Sequence, residues 1–215
     1  MDIIKNFTNI LNKIKKTSNP NCKVIAVSKT FNINYIKPLI DYGHIHFGEN
    51  RVGEAIVKWA DEIKKNQNLK IHLIGKLQSN KIKEALKIFS YIHSLDSKKL
   101  ASLLDEEQNK TLIKLKYFIQ VNIGNEKQKS GVAIDDLEDF INFCKFKTKL
   151  DVIGLMCIPP IDSPPHFFFK KLKELGAKNN FKEFSMGMSN DYINAIENGA
   201  TFIRIGSSIF GSRIN

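Results

Sequence analysis

Short apolar runs alternate with amphipathic stretches eight times along this 215-residue chain. Each run is only a few residues long and is apolar on both faces, which is typical of buried strands in a parallel sheet. The eight runs are VIAVSK from Val24, HIHFGEN from His44, IHLIGKL from Ile71, YIHSLDS from Tyr91, KYFIQVNI from Lys116, DVIGLMCIPP from Asp151, EFSMGMS from Glu183 and TFIRIGSSIF from Thr201.

The stretches beside these runs repeat apolar residues at the spacing of one helix face. Examples are Ile3, Phe7, Ile10 and Ile14; Ile56, Trp59, Ala60 and Ile63; Ile82, Ala85, Leu86 and Phe89; and Leu137, Phe140, Ile141 and Cys144. The first of these precedes the first strand, so an extra N-terminal helix is predicted. Asp135 and Glu138 have the spacing of a capping box and predict a helix start. The aromatic run 167–169 is interpreted as core.

Eight strands alternating with helices predict an α/β fold, a (β/α)8 TIM barrel that occupies residues 1–215 as a single domain. A doubly wound open sheet is the structural alternative. Such a sheet normally has fewer strands and a glycine-rich nucleotide turn after the first of them. The segment VSKTFN stands at that place here, which favours the barrel.

The formal net charge of +11 raises the question of nucleic-acid binding. Nearly all the basic residues are lysines spread along the chain, which favours a solvated basic surface, with a nucleic-acid-binding protein as the alternative. No apolar run reaches the ~20 residues that span a bilayer, and the N-terminus does not resemble a signal peptide. A cytoplasmic location without membrane contact is therefore expected. The cysteines lack metal-binding spacing, so reduced thiols and no metal site are expected.

A lysine ends the first predicted strand. In a barrel the working groups stand at the C-terminal ends of the strands, and Lys29 follows the apolar run VIAV. A desolvated lysine at this place can form an imine with a carbonyl compound, because burial favours its neutral amine. The position fits equally well a lysine whose stem lies on the core while its amine reaches water.

Serine and glycine residues end the last two predicted strands. Ser185 and Ser189 belong to the segment SMGMS, and Gly206 and Ser207 follow the final strand. Barrels often bind phosphate with these two loops and the start of a short helix, where N–H groups and hydroxyls meet the anion. Each cluster alone is compatible with an ordinary turn, but the two together favour a phosphate site.

A lysine facing a phosphate site indicates a phosphorylated aldehyde or ketone as the ligand. An aldolase is one such protein, with Glu49 and Asp96 as candidate acid–base groups; ordinary helix caps or salt-bridge partners are the alternative for both residues. Arg204 lies two residues before Gly206, so its side chain can enter the barrel beside the phosphate loop. A guanidinium there can meet a pyridine nitrogen, which favours pyridoxal 5′-phosphate (PLP) as the ligand of Lys29.

Seven motifs carry a resemblance to a known family. They are AVSKT at Ala26, HFGENRV at His46, HLIGKLQSNK at His72, SLDS at Ser94, VNIGNEKQKSG at Val121, GLMCIPP at Gly154 and FSMGMSNDYINAIENGATFIRIG at Phe184. From AVSKT to RIGSSIFGSR the chain closely resembles the PLP homeostasis proteins, which are PLP-binding proteins of the alanine-racemase N-terminal-domain type. Two departures are minor: Lys76 replaces the proline of the familiar GPLQ, and Ser207 replaces a usual threonine.

The resemblance implies a (β/α)8 barrel that holds PLP as a Schiff base on Lys29. The further contacts that it implies are Ser185, Ser189, Gly206 and Ser207 with the phosphate, Arg204 near the pyridine nitrogen, and Asn50 on the cofactor face. No catalytic residue is implied.

The role that the resemblance implies is to bind and buffer PLP and to pass it to PLP-dependent apoenzymes, without strong catalysis. Related alanine racemases add a β-rich domain, and no such domain is expected here after RIGSSIFGSRIN. A weak PLP-dependent amino-acid racemase is the alternative. A monomer is expected, because no exposed apolar patch is evident in the sequence.

Overall fold

Eight parallel strands close into a barrel, as the alternating pattern predicts. In this computed structural model, which describes residues 2–126 and 128–211, each strand pairs with the next along the chain and β8 pairs with β1. The strands are β1 Lys23–Val27, β2 His46–Glu49, β3 Lys70–Leu73, β4 Tyr91–Leu95, β5 Lys116–Gln120, β6 Asp151–Met156, β7 Glu183–Met188 and β8 Phe202–Ile205. The open-sheet alternative is therefore wrong.

Helices surround the barrel and one of them precedes it. They are α1 Ile3–Ile14, α2 Ile33–Asp41, α3 Val52–Lys65, α4 Ile82–Ile88, α5 Lys98–Thr111, α6 Leu137–Lys147, α7 Pro165–Lys178, α8 Tyr192–Glu197 and α9 Ser207–Phe210, with a 3-10 turn at Ser79–Lys81. The extra helix is confirmed, since α1 buries the four apolar residues of its predicted face. Among the residues that the structure describes, no helix has the length and apolar character needed to cross a membrane.

Two local predictions are wrong. Helix α6 begins at Leu137, and its N-cap Asp136 makes no side-chain capping bond, so Asp135 does not open the helix. In α7, Phe169 is buried but Phe167 is 64% exposed. Consecutive helix residues are about 100° apart around the axis, so three in a row cannot share one buried face.

The core has two layers. A large cluster lies between the strands and the surrounding helices, all of which contribute side chains to it. A smaller cluster, built from Ile25, Phe118, Met156 and Phe202, joins residues of β1, β5, β6 and β8. Because these strands are not all neighbours, their side chains meet inside the barrel. The remaining interior positions include polar residues, and these decide the chemistry of the site.

Candidate functional site

A cavity of about 740 Å3 opens at the C-terminal ends of the strands. This volume lies within the roughly 300–1,000 Å3 usual for small-molecule sites. The sequence-predicted residues that line it are Lys29, Asn50, Ser189, Arg204, Gly206 and Ser207. The structure therefore brings six of the seven predicted cofactor residues to one cavity. Ser185 is the exception, and it lies deeper in the barrel.

Lys29 reaches the cavity from a tight turn after β1. The strand ends at Val27, Ser28 is fully buried, and Lys29 itself is half-buried. Thr30 has a φ of 71°, a left-handed conformation that is unusual for a β-branched residue. The chain turns immediately after the strand, and Lys29 is placed there in the lining of the cavity.

A buried ion pair between Lys58 and Glu49 fixes Ser28 by hydrogen bonds. The Glu49 carboxylate accepts hydrogen bonds from Ser28 Oγ at 2.7 Å, Lys58 Nζ at 2.8 Å and Trp59 Nε1 at 3.0 Å. Lys58 also donates to the Ser28 carbonyl oxygen at 2.8 Å. The Glu49 side chain is fully buried and directed toward α3, so it is no acid–base group for the cavity. The network instead fixes the turn that carries Lys29.

Lys58→Met is expected to lower the free energy of unfolding by about 3–5 kcal/mol, because the buried Glu49 carboxylate would lose its cationic partner. Urea unfolding measures this change. A matched control is Lys64→Met, which breaks the surface ion pair between Lys64 and Asp61. The side chain of Lys64 is 77% exposed and that of Asp61 is 80% exposed. That control is expected to cost less than about 1 kcal/mol. Equal losses in the two variants would contradict a structural role for the buried pair.

Asn50 stands at the cavity directly after β2, and its backbone is packed against Gly75. A Cβ atom on Gly75 would lie 2.3 Å from the Asn50 carbonyl oxygen, so only glycine permits this approach. Gly75 opens the segment Gly-Lys-Leu-Gln, in which Lys76 replaces the familiar proline. Lys76, at the point of departure from the family pattern, does not line the described cavity.

Arg204 is a buried cation at the base of the cavity. It is 4% exposed, and its two terminal nitrogens donate to Ser185 Oγ at 2.7 Å and to the Cys157 carbonyl oxygen at 2.9 Å. Both acceptors are neutral. Burial lowers the pKa of the guanidinium from its ordinary value, yet arginine stays charged in proteins. A charged, fully buried donor beside a cavity suits a ligand that offers an acceptor atom or a negative charge.

The lining of the cavity carries little negative charge. Asp191 is the one carboxylate among the described lining residues, and its Oδ1 accepts the N–H of Met188 at 2.6 Å. Lys29 and Arg204 are the two cations of the same lining. The cavity is therefore cationic on balance, and it favours an anionic ligand.

The corner formed by β7 and β8 supplies hydroxyl and N–H groups. The Gly206 N–H donates to Ser189 Oγ at 3.4 Å, and Ser207 begins helix α9, whose first N–H groups have no partner within the helix. Gly187 has a φ of 90°, and a Cβ atom there would lie 2.5 Å from the Ala195 Cβ. That glycine therefore serves packing against α8 rather than close approach to a ligand. The corner suits a phosphate group.

Ser185 is fully buried and does not line the cavity. Its hydroxyl contacts Arg204 on one side and His93 Nδ1, at 2.8 Å, on the other. Sequence reasoning missed His93 and the other interior histidines, His72 and His46. The signal was present, since His72 and His93 each interrupt a short apolar run and His46 begins the strand between them and β1.

The cysteines are all buried, and burial raises the thiol pKa of Cys22, Cys144 and Cys157 to about 12. Each thiol is therefore protonated near neutral pH. In the described part of the chain, no group of three or more histidine, cysteine, aspartate or glutamate residues is arranged to hold a metal ion.

The fold and the cavity define a class of protein, a (β/α)8 barrel that presents a lysine and a corner of serine and glycine residues at one mouth. The family model of the alanine racemase N-terminal domain matches residues 4–214. The chain is 35% identical to the pyridoxal phosphate homeostasis protein of Aquifex aeolicus, over 99% of each protein. It therefore belongs to the pyridoxal phosphate homeostasis protein family.

Solved structures agree with this assignment. PipY of Synechococcus elongatus, determined without PLP, superposes with a TM-score of 0.90 at 33% identity, covering 98% of this chain and 100% of PipY. The same protein with PLP bound gives a TM-score of 0.88 at the same identity and coverage. The expected fold and family are thus confirmed.

Proposed function

We propose that this chain binds PLP through an imine on Lys29 and serves PLP homeostasis by binding, buffering and delivering the cofactor. The observation that carries the proposal is the shared cavity of Lys29, Arg204 and the corner formed by Ser189, Gly206 and Ser207. PLP supplies an aldehyde that condenses with an amine, and its phosphate and pyridine nitrogen each need a partner. The cavity offers an amine, hydroxyl and N–H donors, and a buried guanidinium.

The proposal gives each residue one task. Lys29 provides the amine, while Ser189, Gly206 and Ser207 bind the phosphate. Arg204 faces the pyridine nitrogen and Asn50 lines the cofactor face. For Ser185 we now propose positioning rather than phosphate contact, because its hydroxyl is buried against Arg204.

The phosphate corner predicts a preference for PLP over pyridoxal, which lacks the phosphate. We expect at least about 100-fold tighter binding of PLP, and about a tenfold smaller preference in Ser189→Ala, because hydrogen bonds to charged groups are strong. Titration of the purified protein, followed by absorbance of the imine band, measures both ligands. Ser163→Ala is the control, since Ser163 lines the same cavity but belongs to the β6–α7 loop and not to the corner formed by β7 and β8. Equal affinities of the native protein for PLP and pyridoxal would refute the phosphate assignment.

Strong catalysis is not part of the proposal. A guanidinium at the pyridine nitrogen disfavours ring protonation, so the ring withdraws electrons poorly. The rim of the cavity is also wet, since Thr30, Asn190 and Ser207 are exposed lining residues. Water at the mouth weakens electrostatic control of a charged intermediate.

The purified protein is therefore expected to racemise L- or D-alanine no faster than free PLP at the same concentration. Circular dichroism of the amino acid over time measures this rate. A rate well above that of free PLP, absent in Lys29→Ala, would instead establish the weak racemase.

PLP-dependent apoenzymes are the proposed acceptors of the cofactor. We also propose that the protein is a monomer, that it is located in the cytoplasm, and that it binds no specific nucleic acid. The reason given for the monomer is wrong, because apolar side chains are exposed at the cavity rim. Ile161 is 94% exposed, and Ile158 and Met188 are exposed by more than a third. An acceptor that approaches the cavity would contact this rim.

A further inference from the structure

A continuous chain of hydrogen bonds crosses the barrel interior beneath the cavity. His46 Nδ1 lies 2.9 Å from His72 Nε2, and His72 Nδ1 lies 2.9 Å from His93 Nε2. His93 Nδ1 lies 2.8 Å from Ser185 Oγ, which also accepts the Arg204 hydrogen bond at 2.7 Å. This chain of hydrogen bonds begins at His46, the first residue of β2, on the floor of the barrel. It ends at the Arg204 guanidinium, which lines the cavity.

Burial restricts where the protons of this chain can be. His72, His93 and Ser185 are almost completely inaccessible to water, so each of their polar atoms needs a partner within the protein. Ser185 Oγ accepts from Arg204, which can only donate. If Ser185 donates to His93 Nδ1, then His93 donates through Nε2 to His72, and His72 donates through Nε2 to His46. In this direction the protons of Ser185, His93 and His72 each have an acceptor.

The reverse direction is less favourable. His93 would then donate to Ser185 Oγ, which would accept two hydrogen bonds, and the Ser185 proton would have no acceptor among the contacts that the structure describes. Electrostatics gives the same answer, because the positive guanidinium repels protons and favours O–H and N–H bonds that point away from it. Burial and the Arg204 charge lower the pKa of His93 well below its ordinary value, so the ring is neutral.

We infer that His93, supported by His72, is a positioning residue that fixes the Ser185 hydroxyl so that its lone pair holds the Arg204 guanidinium in place at the cavity. This inference rests on the proposed function, in which Arg204 faces the pyridine nitrogen. Ser185 and the Cys157 carbonyl oxygen each take one N–H of the guanidinium fork. The plane of the fork is thereby set, and other N–H groups are left for the ligand.

The tautomers of the histidines test the inference without added PLP. The chain has only five histidines, so their ring nitrogens can be resolved by NMR of the purified 15N-labelled protein. We expect His72 and His93 to be neutral at pH 7 with the proton on Nε2. In Ser185→Ala, which removes the donor to His93 Nδ1, a mixture of His93 tautomers is expected. A His93 proton on Nδ1 in the native protein would overturn the inference.

Two substitutions of His93 separate positioning from packing. His93→Asn places an acceptor near the former Nδ1, toward Ser185, whereas His93→Gln places its amide near the former Nε2, toward His72. Both remove the imidazole that stacks on Phe118 with ring centres 4.4 Å apart. We expect His93→Gln to weaken PLP binding about tenfold and to shift the imine absorbance band, and His93→Asn to stay within about twofold of the native protein.

Equal losses in the two variants would show a packing role only, and native affinity in His93→Gln would also overturn the inference. Failure of the native protein to bind PLP is a different result. It would reject the proposed function, while the tautomer measurement would still decide the direction of the chain.

Discussion

Lys29→Ala is expected to abolish the PLP adduct that borohydride reduction traps on the native protein. The amine of Lys29 is the nucleophile in the proposed imine, and alanine offers none in its place. Incubation of the purified variant with PLP should therefore give no imine band, and mass spectrometry after reduction should find no modified peptide from the β1 region. In the native protein the same peptide, with Lys29 modified, should carry nearly all the label.

Two controls make this result specific. Lys29→Arg keeps the positive charge at the rim but cannot form the imine, so it should lose the adduct as completely as the alanine variant. Lys76→Ala removes another lysine from a strand-end loop, and since Lys76 does not line the cavity, the native adduct should persist. Native-like labelling in Lys29→Ala would show that surface lysines react without selection, and the proposed site would have to be abandoned.

The fold was predictable because the spacing of apolar residues and the order of strands and helices can both be read from the sequence. Eight apolar runs of strand length, each followed by a helical pattern, leave few architectures other than a closed parallel barrel. Exact helix starts were not predictable, since Asp135 has the right spacing for a cap while the structure begins α6 at Leu137. Tertiary packing decides such boundaries, and no local pattern reports it.

The site was predictable to the extent that strand ends define it. Lys29, Ser189 and Gly206 follow their strands, and they reach the cavity for that reason alone. Ser185 lies four residues before Ser189, a depth of about 13 Å along a strand, so it belongs to an interior layer. The β7–β8 register also shifts between Ser185 and Met188, which a sequence pattern cannot reveal.

The interior histidines make the protein's stability depend on pH. Burial is the main cause that lowers the pKa of His72 and His93 well below the ordinary value, and it lowers the pKa of His44 and His46 to about 4. A depressed folded-state pKa means that only the unfolded chain binds the proton between that pKa and about 6.5. Stability is therefore complete above pH 6.5 and falls as the pH decreases. Between pH 7 and pH 5 we expect a loss of about 4 kcal/mol from His72 and His93, with about 2 kcal/mol more from each of His44 and His46.

The slope of this loss provides a test that does not depend on absolute stability. Each neutral buried histidine contributes about 1.4 kcal/mol per pH unit once the unfolded chain is protonated. The double variant His72→Gln, His93→Asn removes two titrating groups, so its slope between pH 6 and pH 5 should be about 2.4 kcal/mol per pH unit smaller than that of the native protein. Urea unfolding at several pH values measures both slopes. Equal slopes would mean that these histidines are protonated in the folded barrel, because only a difference in proton binding between the two states makes stability depend on pH.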